Sequence, residues 1–242
     1  RPSFIEMAPF LYQESYGSTQ IRGNADLQNG YNYNIDLRYE LFEKNGDMLS
    51  ITAYYKHLKA PIERVQTLSG GSAVHSFRNA DNGMATGVEI EFRKEIVKDL
   101  RFGVNGSYMY TNVKLPEGGA YTNSQRALQG ASPYLANADL TYSPAFSNDR
   151  QLSVALLYNL QGPRIHSVGI SGLGDIKQQP VHTLNFTGSY RFNRRFAVKL
   201  QVNDLLNQDI LFKQEVPTTG DKVEVERFRK GTGFEVGFSY DL

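Results

Sequence analysis

The segment from His182 to Asp204, HTLNFTGSYRFNRRFAVKLQVND, alternates apolar and polar side chains. In its first arm Leu184, Phe186, Tyr190 and Phe192 occupy even positions, and Thr183, Asn185, Thr187, Ser189 and Arg191 the odd ones. In the second arm Phe196, Val198, Leu200 and Val202 alternate with Ala197, Lys199, Gln201 and Asn203. Successive side chains of a strand point to opposite faces, so each arm has one apolar and one polar face, joined by a tight turn at 193–195. The same pattern predicts a strand over Tyr31 to Phe42 and its partner over Leu49 to His57. Between them lies a short turn whose Asn45-Gly46 favours positive φ. The pattern recurs over Gly87 to Arg93, Leu100 to Val113, Tyr134 to Tyr142, Leu152 to Leu160 and Phe234 to Leu242. The reading is nine antiparallel strands. Residues 1–30 show no period and read as a long loop with a short helical turn near Glu6. The segments 58–83, 114–131, 162–179 and 205–232 read as long irregular connections.

Three features choose the architecture. The connections alternate strictly between short and long. Consecutive hairpins turn at opposite ends of a sheet, so all the short turns fall at one end and all the long loops at the other. Outer-membrane barrels have that asymmetry, and a soluble sandwich has no reason for it. The apolar faces of the nine segments contain no Asp, Glu, Lys or Arg. A charge facing lipid at mid-depth costs roughly 2–4 kcal/mol. Aromatic residues gather near strand ends, as at Tyr31, Tyr33, Tyr108, Tyr110, Tyr142, Tyr190, Phe192, Phe238 and Tyr240, like interfacial girdles. The polar faces are dense in charge, with Asp36, Arg38 and Glu40 on one strand and Glu89, Glu91 and Arg93 on another; this suits a wide wet or plugged lumen. The fold class expected is therefore all-β: an antiparallel transmembrane β-barrel segment of about nine strands. The alternation by itself also describes a soluble Greek-key or jelly-roll protein, with a core face and a solvent face.

Composition changes this picture little. The 242 residues fit one large all-β unit or part of a larger one. Hydrophobic content of 40% and a mean hydropathy of −0.44 would by themselves describe a soluble protein. No run of 18 apolar residues exists, which excludes a transmembrane helix and leaves a membrane barrel open. A net charge of +1 gives no argument for a nucleic-acid partner. Without cysteine, disulfides and thiolate metal sites are excluded. The chain starts at Arg1 with neither Met nor a signal peptide and reads as a mature product or an excised piece.

Several stretches then point the same way. They are Gly23 to Gln28 followed by Tyr31 to Tyr39, Asn82 to Glu91, Arg126 to Tyr134, Gly162-Pro163-Arg164, and the hairpin ending Val202-Asn203-Asp204-Leu205-Leu206-Asn207. In that order they resemble the strand and pre-strand motifs of TonB-dependent outer-membrane receptors of the Bacteroidetes type, across nearly the whole chain. Two departures are Asp204, where the family usually has an apolar-flanked Asn-Leu, and Leu242, where it usually ends in Phe. The resemblance implies the C-terminal portion of a barrel of about 22 strands around an N-terminal plug. On that view short turns are periplasmic, long loops extracellular, residues 1–30 the remnant of an extracellular loop, and plug and TonB contact outside these residues. The implied location is the bacterial outer membrane. The implied function is energy-coupled uptake of a scarce nutrient such as siderophore-iron, haem, cobalamin, glycan or peptide. Implied partners are a small-molecule or oligomeric nutrient, the TonB complex through the plug, outer-membrane lipid and a surface lipoprotein. The competing readings are a passive porin or adhesin-like barrel and a soluble β-sandwich binding module.

Candidate chemistry is sparse. His57, His75, His166 and His182 show no metal-ligand spacing; His57 and His182 sit at strand ends and read as structural. Gly169 to Gly174 lacks the strand-to-helix context of a phosphate loop. No Gly-x-Ser-x-Gly or comparable triad appears, so neither an enzyme nor a cofactor is expected. The long loops hold the ligand-binding candidates His75, Arg78, Tyr121, Arg126 and His166. Cationic, aromatic and amide groups of this kind suit an anionic or polyhydroxylated ligand. Arg126 also opens the stretch Arg126 to Pro133, which orders its loop.

Overall fold

A computed structural model describes residues 1–13, 20–43, 45–69, 72–115, 122, 125–146, 149–169 and 172–240. In chain order the elements are α1 (Phe4–Met7), β1 (Leu11–Gln13), β2 (Gln20–Arg22), β3 (Tyr31–Phe42), β4 (Met48–Lys59), β5 (Ile62–Ser69), β6 (Ser72–Asn79), β7 (Asn82–Val97) and β8 (Leu100–Lys114). There follow β9 (Gln125–Arg126), β10 (Tyr134–Tyr142), β11 (Gln151–Gln161), β12 (Arg164–Ser167), β13 (Ile176–Gln178), β14 (Val181–Arg191), β15 (Phe196–Asn203), β16 (Ile210–Glu215), β17 (Lys222–Phe228) and β18 (Gly233–Tyr240). The wall is an antiparallel meander in the order β3-β4-β7-β8-β10-β11-β14-β15-β18, with the short β9 on the side of β8. These are the nine strands read from the alternation. Several run longer than the pattern shows: β7 begins at Asn82 and ends at Val97.

Register makes the two faces continuous. Leu41, Leu49, Phe92, Val104, Ala138, Tyr158 and Leu184 are successive direct partners across seven strands. One residue along, on the opposite face, the row reads Glu40, Ser50, Glu91, Asn105, Asn137, Asn159 and Thr183. A one-residue slip anywhere would exchange the two faces, so burial of either one fixes all the pairings. The apolar face is open: Ile35 is 73%, Leu37 76% and Phe234 75% exposed. So much bare Leu, Ile and Phe in one patch needs an apolar medium over it. The strand extensions add Lys59, Lys94 and Lys114 to this face, but only at its rims, where a long cation reaches headgroups. On the polar face Gly103 stands opposite Asp139, whose Oδ1 would lie 2.3 Å from any added Cβ; only glycine leaves room for that carboxylate.

The long connections differ from the irregular loops expected of them. Within 1–30, Ser3 and Glu6 form a capping box over α1: the Ser3 amide donates to Glu6 Oε2 at 2.6 Å and the Glu6 amide to Ser3 Oγ at 3.3 Å. After α1, β1 and β2 pair with each other. The segment 58–83 is the hairpin β5–β6, 162–179 contains β12–β13 and 205–232 contains β16–β17. Their faces mix charged and apolar residues, as in Ile62-Glu63-Arg64-Val65-Gln66, so no period-two signal survives there. All of them lie at the end of the wall opposite the short turns.

Candidate functional site

The loop strands form one structured layer. One sheet is β1-β2-β6-β5 and another is β12-β13-β16-β17. They meet where Val65 bridges Val168 in parallel: the Gln66 amide donates to the Val168 carbonyl at 2.7 Å and the Val168 amide to the Arg64 carbonyl at 3.1 Å. Val65, Ile165 and Val168 form a small core at this seam, and Ile176, Ile210 and Phe212 form another further on. Ala60, with φ of 50°, makes the bend that lifts β5 off the end of β4. Its amide donates to the Asp81 carbonyl at 2.9 Å, locking the base of the hairpin.

The polar groups inside this layer are paired over long sequence distances. Arg126 grips Glu63 bidentately, Nη1 to Oε1 at 2.9 Å and Nη2 to Oε2 at 2.5 Å, with side chains only 4% and 2% exposed. Gln129 joins β5 to β12: its amide side chain donates to the His166 carbonyl at 2.8 Å and its Oε1 accepts from the Arg64 amide at 3.3 Å. Gln214 Nε2 donates to Gln66 Oε1 and to the Gly174 carbonyl, each at 2.8 Å. His75 Nδ1 accepts from Arg64 Nε at 2.7 Å, and its ring lies 5.9 Å from that of His166. His166 packs edge-on to Phe212 at 4.7 Å. Burial, then the charge of Arg64, then His166 push the His75 pKa down to about 3, so the ring stays neutral. At the base of β16–β17, Asp209 is held by Arg229 and Arg227, chiefly through the Arg229 hydrogen bond, which keeps its carboxyl below the usual range.

Of the residues singled out from sequence, the fold brings His75, Arg126 and His166 together around β5. His75 and Arg126 are buried and tie the layer together, in keeping with the ordering role read for Arg126 to Pro133. Arg78 is exposed on β6. Tyr121 lies outside the described residues. Sequence reasoning missed Glu63, Gln66 and Gln214, whose partners are 63 and 148 residues away in the chain, and Arg64, whose partner His75 lies across a hairpin with no period-two signal.

Below the layer the polar face lines a cleft of about 290 Å³ with Arg38, Ser50, Glu89, Glu91, Asn105 and Asn137. Side-chain amides bridge its strands, Asn137 Nδ2 to Asn105 Oδ1 at 2.7 Å and Asn159 Nδ2 to Asn137 Oδ1 at 2.5 Å. Such a surface offers donors and acceptors to a hydrated solute or a polar plug. Among the described residues no group of three or more His, Cys, Asp or Glu could hold a metal ion.

A membrane-facing outer surface, a wet inner face and a loop layer at one end call for comparison with known proteins. The family model "Outer membrane protein beta-barrel family" matches residues 1–240. The chain belongs to this outer-membrane β-barrel family. No curated protein matches its sequence. Solved structures of similar fold include the ferric enterobactin receptor of Pseudomonas aeruginosa, 17% identical with a TM-score of 0.59, covering 99% of this chain and 36% of that one. The ferric yersiniabactin uptake receptor of Yersinia pestis is 17% identical with a TM-score of 0.58, covering 88% of this chain and 30% of its own length. A copper transporter is 15% identical with a TM-score of 0.65, covering 99% and 36%. The chain spans about a third of the length of these structures. The barrel segment is thus a bacterial outer-membrane protein with the fold of receptor and transporter barrels.

Proposed function

We propose that this barrel segment is the C-terminal portion of a TonB-dependent receptor of the Bacteroidetes type that takes up a scarce nutrient with energy coupling. The observation that carries the reading is the loop layer, in which residues 1–30, 58–83, 162–179 and 205–232 supply two joined sheets, tied to Arg126 by the buried Glu63–Arg126 pair. A passive pore needs only an open mouth, whereas capture of a dilute solute needs a pre-organised surface. The polar inner face, with its Glu91-Asn105-Asn137-Asn159 row, suits contact with a plug that moves when TonB draws on it. Substrates in keeping with the fold are a siderophore, haem, cobalamin, a glycan or a peptide, delivered directly or through a surface lipoprotein. Arg78, Tyr121 and His166 remain the candidate contacts of the extracellular end, with His75 and Arg126 as buried supports of the layer.

The test is uptake by a strain lacking the receptor, on defined iron, cobalamin and glycan sources, with and without a protonophore. Uptake of one nutrient should require the receptor and collapse with the proton gradient. Receptor-dependent entry that survives the protonophore would make the protein a passive porin.

A further inference from the structure

On the loop side, the lipid-facing surface of the wall ends in a row without a carboxylate. Tyr31, Lys59, Asn82, Lys114 and Gln125 are successive direct partners across β3, β4, β7, β8 and β9. Direct partners share a face, so both lysines stand on the outer side with Asn82 between them. Their Cα atoms are two strand spacings apart, about 9–10 Å, and both four-carbon stems can reach a group standing over Asn82. Both side chains are exposed, and neither makes an ion pair with a described residue. Asp81, one residue before β7, still donates its amide to the Lys114 carbonyl at 3.3 Å. The alternation therefore sends its carboxylate to the inner side.

Below this row the same face grades from aromatic to apolar. The next row reads Tyr33, His57, Met84 and Asn112, the one below it Ile35, Tyr55, Thr86 and Tyr110, and the third Leu37, Ala53, Val88 and Tyr108. The small Ala53 forms the floor of a groove of about 470 Å³ walled by Ile35, Leu37, Tyr55, Tyr108 and Tyr110. Lys59 is four residues beyond Tyr55. At about 3.3 Å per residue and a strand tilt near 40°, that is about 10 Å along the membrane normal. The amines therefore sit at headgroup level when the groove lies among acyl chains. On the inner side these strand ends are held fast. Ala80, Val113 and Leu115 form a buried core there, Leu58 is buried, and the Ala60 amide donates to the Asp81 carbonyl at 2.9 Å. The backbone under both lysines is thus fixed before any ligand arrives.

An apolar groove capped by two unpaired cations in one register row matches the order of groups along an acidic lipid: chains, then phosphate. We propose that β4, β7 and β8 bind a phosphorylated outer-leaflet lipid on their outer side, with an acyl chain in the groove at Ala53 and the phosphate between Lys59 and Lys114 over Asn82. The site uses the extracellular placement of the loop end but not the uptake reading, since neither the lumen nor the transported nutrient takes part in it.

The test uses the receptor extracted from outer membranes in mild detergent, delipidated, and titrated with lipid A, with dephosphorylated lipid A and with glucosamine 1-phosphate. Wild type should bind lipid A about tenfold or more tightly than either of the others, because the charge-assisted contacts need the phosphate and the groove needs a chain. The Lys59→Gln/Lys114→Gln variant should lose about tenfold or more of lipid A affinity, and Lys59→Arg/Lys114→Arg should keep it within about twofold. Ala53→Phe, which fills the groove floor, should weaken binding about threefold or more. Arg195→Gln, at the opposite mouth, should bind as wild type does. Should the double glutamine variant fail to assemble, Lys114→Gln alone decides, with a loss of about threefold or more. Lipid A affinity unchanged on loss of the lysine charges, or equal affinity for dephosphorylated lipid A, would overturn the proposal. Equal affinity for glucosamine 1-phosphate would overturn its membrane source. Binding in detergent does not depend on which way the barrel is inserted, so surface labelling of the loop end separates a failed topology from a failed site.

Discussion

Leu200 tests the orientation of the wall. It lies on β15 with Gly188 on one side and Val236 on the other, in an apolar row. It is four residues beyond Phe196, where the aromatic cluster Tyr190, Phe192 and Phe196 marks the rim near the short turns. At about 3.3 Å per residue that is about 13 Å along the strand. With a strand tilt near 40° it is about 10 Å into an apolar band about 25 Å tall. A charge at that depth is close to the midplane, so Leu200→Arg should destabilise the assembled barrel by roughly 2–4 kcal/mol. Gly188 beside it supplies no side chain under which the guanidinium could shelter. The neighbouring Gln201 faces the other way, paired with Thr187 and Glu235. Gln201→Arg would meet water and a carboxylate, and should cost less than about 1 kcal/mol. The measurement is reversible unfolding of the assembled receptor in lipid vesicles with denaturant. Equal losses for the two variants would refute the assignment of faces, and with it the membrane reading of all nine strands.

Other outcomes follow from the loop layer and the topology. Glu63→Gln should leave the buried Arg126 uncompensated and weaken the layer by about 3–5 kcal/mol; proteolysis of the loop end should accelerate while barrel unfolding stays unchanged, and accelerated barrel unfolding would show that layer and wall are one cooperative unit. For His75 the folded pKa of about 3 lies below its unfolded value, so stability present above about pH 6.5 is lost as pH falls towards 3, at about 1.4 kcal/mol per pH unit. Hydrogen exchange of β5 and β6 at pH 7.5 and pH 5 should register that loss, and His75→Gln should flatten it; a slope that persists in the variant would assign it elsewhere. A peptide tag inserted at Gly172 or Gly220, both in turns with positive φ, should be labelled on whole cells, and one at Gly46 should not. The reverse pattern would invert the barrel in its membrane.

The wall was legible in the sequence because lipid and water act on its two faces separately. Leu37 stands opposite Ala53 and Ile35 opposite Tyr55 on their face, while Arg38 on the other stands opposite Thr52 and between Asp36 and Glu40. A two-residue period survives under that condition and fixes strand, register and sheet order together. The loop layer is different in kind. Glu63, Gln66, His75 and Arg126 are buried as deeply as Val65 and Ile165, so polarity no longer marks the outside. Glu63 and Arg126 stabilise each other across 63 residues and Gln66 meets Gln214 across 148, while His75 is held by Arg64 across the β5–β6 hairpin. Burial of such groups is tolerable only when they are hydrogen-bonded, and those partners come together only in the folded layer. β17 is the exception. Val223 and Val225 alternate with Lys222, Glu224 and Glu226, and the strand could have been read.

The candidate site shows the same division. The residue types picked from the loops were cationic and aromatic, as a receptor surface requires, but His75 and Arg126 are spent on holding the layer. This matters for how the loops respond to a ligand. Because Val65 and Val168 join the two sheets through backbone hydrogen bonds, and Gln129 links β5 to β12, a displacement of the β5–β6 hairpin cannot remain local. It must either break the seam, leaving the Glu63–Arg126 pair and the Gln129 contacts open to water, or carry β12, β13 and β16 with it. The second course keeps the Glu63–Arg126 pair and the Gln129 contacts intact and is the one the energetics favour.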